Sequence, residues 1–139
     1  MSVKVSAEYL GDLRCLATHG PSGAQITTDA PVDNHGKGAM FSPTDLVGAS
    51  LITCIATIMG IQANILKVDL KGMKLEAEKE MSADMPRRIA KITIHIWLPN
   101  LIEERHQRAL IKAAESCPVH HSLHPDIDCK VNFHWKESQ

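Results

Sequence analysis

The sequence predicts a single mixed α+β domain spanning residues 1–139. Three observations carry that reading. The N-terminal third alternates polar and apolar residues, the middle third holds one long apolar helical run, and later strand patterns bracket a second helix. The order is three strands, helix, two strands, helix, strand, with too few helices for a doubly wound sheet.

Residues 3 to 9 and 12 to 19 read as strands joined at Gly11-Asp12, and a Pro21-Ser22-Gly23 turn leads to a third strand near 24 to 29. Residues 30 to 41 hold Pro31, Asp33, Asn34, Gly36 and Gly38, the composition of a loop. Ser42-Pro43-Thr44-Asp45 supplies an N-cap, a proline at the first helical position and an acid at the third, a capping box with Asp in place of Glu. From Leu46 to Ile61 the chain is apolar nearly all round, broken only by Gly48, Ser50, Thr53 and Thr57, the pattern of a helix surrounded by protein. This run falls short of the roughly 20 residues a membrane span needs, and it continues into Gln62 and Asn64 without basic flanks. No membrane association is expected.

Residues 67 to 81 and 87 to 98 read as two strands around Ser82-Ala83-Asp84-Met85-Pro86. In the second, Ile92, Ile94, Ile96 and Leu98 alternate with Lys91, Thr93, His95 and Trp97, so one face is covered. Asn100 with Glu103 three residues later predicts a capped helix to about Ser116, closed by Pro118. Cys129 to Trp135 forms the last strand.

Composition narrows the function. A formal net charge of −1 with dispersed Lys and Arg lacks the basic stripe that nucleic acid requires. The N-terminus has no signal-peptide core, so a cytoplasmic location is expected. There the cysteines Cys15, Cys54, Cys117 and Cys129 are reduced at rest, and a disulfide between any two is catalytic or redox-sensing rather than a staple.

The thiols differ in their local chemistry. Cys54 sits inside the most hydrophobic helix, where burial raises a thiol pKa. Lowering it from about 8.5 to about 5.5 takes roughly 4 kcal/mol. An exposed ion pair supplies about 1 kcal/mol at most, so a close, partly buried cation is needed. Arg14 is the N-terminal candidate, with Arg87, Arg88, Arg105 and Arg108 as alternatives. Ser116-Cys117-Pro118-Val119 places Cys117 at the cap of a short helix, where backbone N–H groups favour an anion, so local physics makes Cys117 the better thiolate. The following His120, His121 and His124 fit no standard zinc spacing and lack a second ligand pair. No metal site is expected.

The segment Ser-Pro-Thr-Asp-Leu-Val-Gly-Ala-Ser-Leu-Ile-Thr-Cys (42 to 54) resembles the OsmC/Ohr pattern, in which an S/N-P-x-E-L segment opens a long buried helix bearing a cysteine. Glu-Ser-Cys-Pro-Val-His-His-Ser-Leu (115 to 123) resembles that family's second motif, C-P-V-H-x-S-L, and Thr28-Asp29-Ala30-Pro31 is similar as well. The resemblance implies an OsmC-like fold with a long buried central helix, assembled as an intertwined homodimer. It also implies reduction of organic hydroperoxides without any cofactor. Cys54 matches the peroxidatic cysteine and Cys117 the resolving one, with an external dithiol as reductant. In the organic-hydroperoxide-resistance branch, a glutamate ten residues before the first cysteine orients an activating arginine held in a glycine-rich turn. Here position 44 is Thr, with Asp45 one step later, and the His19-Gly20-Pro21-Ser22-Gly23 turn has no arginine. The chain therefore resembles a divergent OsmC-like branch in which Arg14 and Asp45 are the candidate activating residues. The alternative within the same resemblance is a small-molecule-binding or redox-sensing domain with little turnover.

Overall fold

The N-terminal alternation forms three strands, β1 (Val5–Gly11), β2 (Arg14–His19) and β3 (Gln25–Asp29), in an antiparallel sheet of that order. The computed structural model describes residues 1–138, and the chain divides into two units, Met1–Val47 and Gly48–Gln139. In the first unit, Asp12 (φ 53°) and Leu13 (φ 63°) turn β1 into β2. Two successive left-handed residues match the right-handed twist of the strands they join. The Leu13 amide donates to the Tyr9 hydroxyl at 3.2 Å. Beyond β3 the loop folds back on itself: the Gly36 amide donates to the Pro31 carbonyl at 2.9 Å, and the Asp29 amide to that of Phe41 at 3.1 Å. A Cβ at Gly36 would lie 1.7 Å from the Ala30 carbonyl oxygen, so no other residue fits.

The long helix, α1 (Pro43–Leu66), has 24 residues and overruns its expected end. Its start is the reciprocal cap read from sequence. The Ser42 amide donates to Asp45 Oδ2 at 2.9 Å and the Asp45 amide to Ser42 Oγ at 3.0 Å. Thr53 and Thr57 donate their hydroxyls back to the carbonyls of Ala49 and Thr53, both at 2.8 Å, which satisfies them along the helix. The expectation of protein on every side is corrected within the protomer. Gly48, Leu51, Ile55, Met59 and Ala63 form one buried stripe at helical spacing. Only 28% of the most apolar 18-residue stretch is buried, while Ile61 and Ile65 stay exposed. By length and composition α1 would be able to cross a bilayer, a test that the core helix of a globular protein also passes.

In the second unit, β4 (Lys74–Met81) and β5 (Ile89–Trp97) pair antiparallel, and β5 pairs parallel with β6 (Asp128–His134). The helices α2 (Glu104–Glu115) and α3 (Pro118–Ser122) make the crossover that a parallel pair requires. Ile92, Ile94 and Ile96, the alternating apolar positions of β5, are completely buried with Leu51 and Met59 of α1 and Leu110 of α2. Each such side chain stabilises the fold by about 1.5–3 kcal/mol. Gly48 faces β4, where a Cβ would stand in ordinary contact, 3.9 Å from that of Ala77.

Two sequence expectations change here. Residues 67 to 73 are a turn rather than strand, with Lys67 at φ 58° and Gly72 at φ 93°. Asn100 does not cap α2: its side chain donates to the Asp69 carbonyl at 3.0 Å, and the helix starts after Glu103 without a side-chain cap. Asn100 instead tethers the 67–73 turn through its side-chain NH2, and α2 begins four residues further on.

Candidate dithiol site

Cys54 lies three residues after the buried Leu51, one step off the packed stripe of α1, and is partly exposed. Cys117 is the residue before α3, held there because Ser116 ends α2 and Pro118 starts the next helix at its first position. It is fully buried. The long helix and the α2–α3 junction bring the two side chains close enough for Cys54 to perturb the Cys117 thiol, with both thiols free.

Burial pushes the Cys117 thiol up, and the hydrogen bond with Cys54 raises it further. The backbone N–H groups of His120 and Val119, at the start of α3, pull in the opposite direction. Those N–H groups are what make Cys117 the better thiolate by local sequence alone. That ranking is corrected: desolvation outweighs one turn of helix, and Cys117 is a neutral thiol at neutral pH.

Arg14 and Asp45 stand in the N-terminal unit. Arg14 makes a two-pronged bond to Asp29, Nε to Oδ1 at 2.6 Å and Nη2 to Oδ2 at 2.9 Å, and Asp29 also accepts the Ala39 amide at 3.2 Å. Asp29 is 2% exposed. Hydrogen bonds from Arg14 hold its carboxyl below the usual range, with burial opposing and the Arg14 charge assisting. Asp45 takes part in the α1 cap. Sequence reasoning had not named Asp29 as the partner of Arg14. The signal was present in the hairpin: the antiparallel register that pairs Thr18 with Gln25 continues to Arg14 opposite Asp29. Of the other arginines, Arg88, Arg105 and Arg108 meet exposed acids of their own segments, Asp84, Glu103 and Glu104.

A cavity of about 440 Å³ opens within the second unit, walled by Leu51, Ile55, Ile94, Ile111, Val131 and Phe133. Cys129, Glu115 and His120 add its polar and sulfur groups. Ile55 follows Cys54 in the chain, and His120 supplies an N–H to Cys117, so the apolar walls and the thiols share residues of the same two segments. Burial and the neighbouring Asp128 push the Cys129 thiol up as well.

Comparison with known proteins identifies the family and the fold. The family model for OsmC-like proteins matches residues 35–132, which include α1, both thiols and most of β6. A crystal structure from Psychrobacter arcticus, of a protein described in terms of osmotic stress induction and detoxification response, is 43% identical. It aligns with 96% of this chain and 97% of its own, at a TM-score of 0.90. An organic hydroperoxide resistance protein OsmC from Legionella pneumophila shares the fold at 18% identity, TM-score 0.78, covering 96% and 97% of the two chains. The organic hydroperoxide resistance protein OhrB of Bacillus subtilis does so at 17% identity, TM-score 0.71, covering 96% and 98%. Among curated proteins, none matches the sequence. With a family model spanning both thiol segments and a 43%-identical structure covering nearly the whole chain, this protein belongs to the OsmC-like family.

Proposed function

We propose that the chain is a cytoplasmic, thiol-dependent reductase of organic hydroperoxides, with Cys54 as the peroxidatic and Cys117 as the resolving cysteine. The observation that carries this is the proximity of the two free thiols, close enough for Cys54 to shift Cys117, one partly exposed and one buried. A Cys54 thiolate attacks one peroxide oxygen, the O–O bond breaks, and the alcohol leaves after taking a proton, so that the sulfur becomes a sulfenic acid. The Cys117 sulfur then attacks Cys54, water departs, and a disulfide forms. An external dithiol reduces it, returning two electrons and two protons. The mechanism calls for no metal or organic cofactor.

The asymmetry in burial fits these roles. The first thiol must meet an incoming substrate, whereas the second reacts only with its neighbour and has no need of solvent. The apolar cavity suits the organic part of a hydroperoxide. Arg14, oriented by Asp29, is the cation proposed to support the Cys54 thiolate. Asp45 is proposed to act by fixing the start of the helix that carries Cys54.

The functional unit is proposed to be a homodimer. The uncovered apolar length of α1 supports this, as do the exposed Val5, Tyr9, Leu10 and Ile26 of the first sheet. A ligand-binding role with little turnover is the second reading, favoured by the same cavity and by the raised Cys117 thiol.

Mass spectrometry decides between them. Protein treated with one equivalent of cumene hydroperoxide acquires a Cys54–Cys117 disulfide on the first reading. An unreacted Cys54 at that dose rejects it and leaves the binding role.

A further inference from the structure

The face of the β4–β5–β6 sheet opposite its buried isoleucines carries a cluster that thiol chemistry does not use. His95 and Trp97 are successive outward residues of β5, and the parallel register puts His134 of β6 opposite Trp97. His95 Nδ1 lies 2.8 Å from His134 Nε2. Their ring centroids are 5.1 Å apart with planes only 22° from parallel. The Trp97 indole lies close to both, its centroid 5.7 Å from His95 and 5.2 Å from His134. Three nearly parallel rings hold one another in place, so the two nitrogens are presented together with less rotamer freedom than isolated surface histidines have.

We propose that His95 and His134 form a surface site for a divalent transition-metal ion, with their facing ring nitrogens as the two protein ligands and water completing the shell. Imidazole is a preferred ligand for zinc, copper and nickel. Metal–nitrogen bonds run about 2.0–2.1 Å. Two such bonds at a right angle set the nitrogens about 2.9 Å apart, and a tetrahedral angle sets them about 3.4 Å apart. The 2.8 Å nitrogen separation is nearer the right angle and the 5.1 Å centroid separation nearer the tetrahedral one, so both rings must turn somewhat and the geometry admits Ni²⁺, Cu²⁺ or Zn²⁺. On binding, the metal takes the place of the proton that the two nitrogens share, and each ring turns its lone pair toward the ion. Glu76 is the register partner of His95 on β4 and lies on the same face, contributing a negative charge within cross-strand reach. Lys74 stands opposite Trp97 in the same register and opposes it in part. Among the described residues no three His, Cys, Asp or Glu side chains surround one point. The site thus has two protein ligands and exchanges its ion readily.

Calorimetric titration of the full chain with Ni²⁺, chosen because it does not oxidise thiols, tests this. One ion binds per chain and EDTA removes it. His95→Asn and His134→Asn each weaken the affinity by about tenfold or more. His121→Asn, which removes an imidazole of the other histidine cluster, leaves it unchanged. Both substituted rings are on the outer face, and circular dichroism of each variant verifies the fold. Equal Ni²⁺ affinity in His95→Asn, His134→Asn and the parent overturns the proposal, as does the absence of any saturable binding. Neither result bears on the Cys54–Cys117 disulfide.

Discussion

Asp29 in the N-terminal unit and Cys117 in the C-terminal unit are both buried acids, yet their proton affinities move in opposite directions. Asp29 has the Arg14 guanidinium across two hydrogen bonds and stays ionised. Cys117 has a second thiol and two backbone amides, and burial wins. The difference teaches that a full positive charge at hydrogen-bonding distance reverses desolvation, while partial charges on a short helix do not. The surroundings follow the same division. Among the described residues of the N-terminal unit, the buried side chains are Thr28, Asp29 and Ser42, all polar. The C-terminal unit buries Leu51, Ile55, Met59 and the β5 isoleucines around its thiol.

The largest effect expected is at Cys54. Cys54→Ser lowers hydroperoxide consumption by at least about 100-fold in a coupled dithiol assay. Cys117→Ser leaves the first oxidation intact and stops at a sulfenic acid that dimedone traps. Equal loss in both variants, with no trapped species, would break the assignment of separate roles.

The next prediction addresses the neutral character of Cys117. Iodoacetamide at pH 7.5 modifies Cys54 about tenfold faster or more, because only a thiolate reacts and burial disfavours the Cys117 anion. Stability carries the same sign. A folded thiol whose pKa is raised contributes stability below the unfolded value of about 8.5, and that contribution is lost as pH rises through the folded value. Melting temperature should therefore fall between pH 8 and 10 more steeply in the parent than in Cys117→Ala.

The Arg14–Asp29 pair predicts the mirror image. A carboxylate with a depressed folded pKa adds stability above the unfolded value of about 3.9, and the gain disappears as pH falls through the folded value. Thermal melts from pH 7 down to pH 3 should show that loss in the parent. Arg14→Gln lowers the melting temperature at pH 7 and flattens the acid dependence. A parallel downward shift at every pH would show that the pair acts by packing alone.

The smallest effect is expected at a site that touches neither pair. Ser42→Ala removes the acceptor for the Asp45 amide and costs about 1 kcal/mol in a urea titration, with the m-value unchanged.

Much of the fold was legible because its signals are local. The Ser42–Asp45 box, the alternation of Ile92, Ile94 and Ile96, and the Cys117-Pro118 helix start each lie within a few residues. What sequence missed depends on distant partners. Asn100 looks like a cap, yet α2 starts only after Glu103 and the Asn100 side chain donates to the distant Asp69 carbonyl. Cys117 looks like a thiolate until Cys54 and the core surround it. The partner of Arg14 needed the register of a hairpin whose turn was recognised but whose pairs were not counted. The pairing of two thiols from distant segments was readable only through the resemblance of their motifs to those of a family.

The parallel pairing of β5 with β6 has a consequence in time. Unlike the β4–β5 hairpin, it forms only after the whole connection through α2 and α3 has been drawn back across the sheet, from Trp97 at one end to Asp128 at the other. Closing so long a loop is the slow kind of step in folding. Cys117 lies on that connection, whereas Cys54 rides on a helix that local contacts build. Topology therefore predicts that the two sulfurs meet late, after the helix bearing Cys54 has formed. Under the proposed roles, oxidant encountered before that point would find Cys54 without Cys117 beside it to resolve the sulfenic acid.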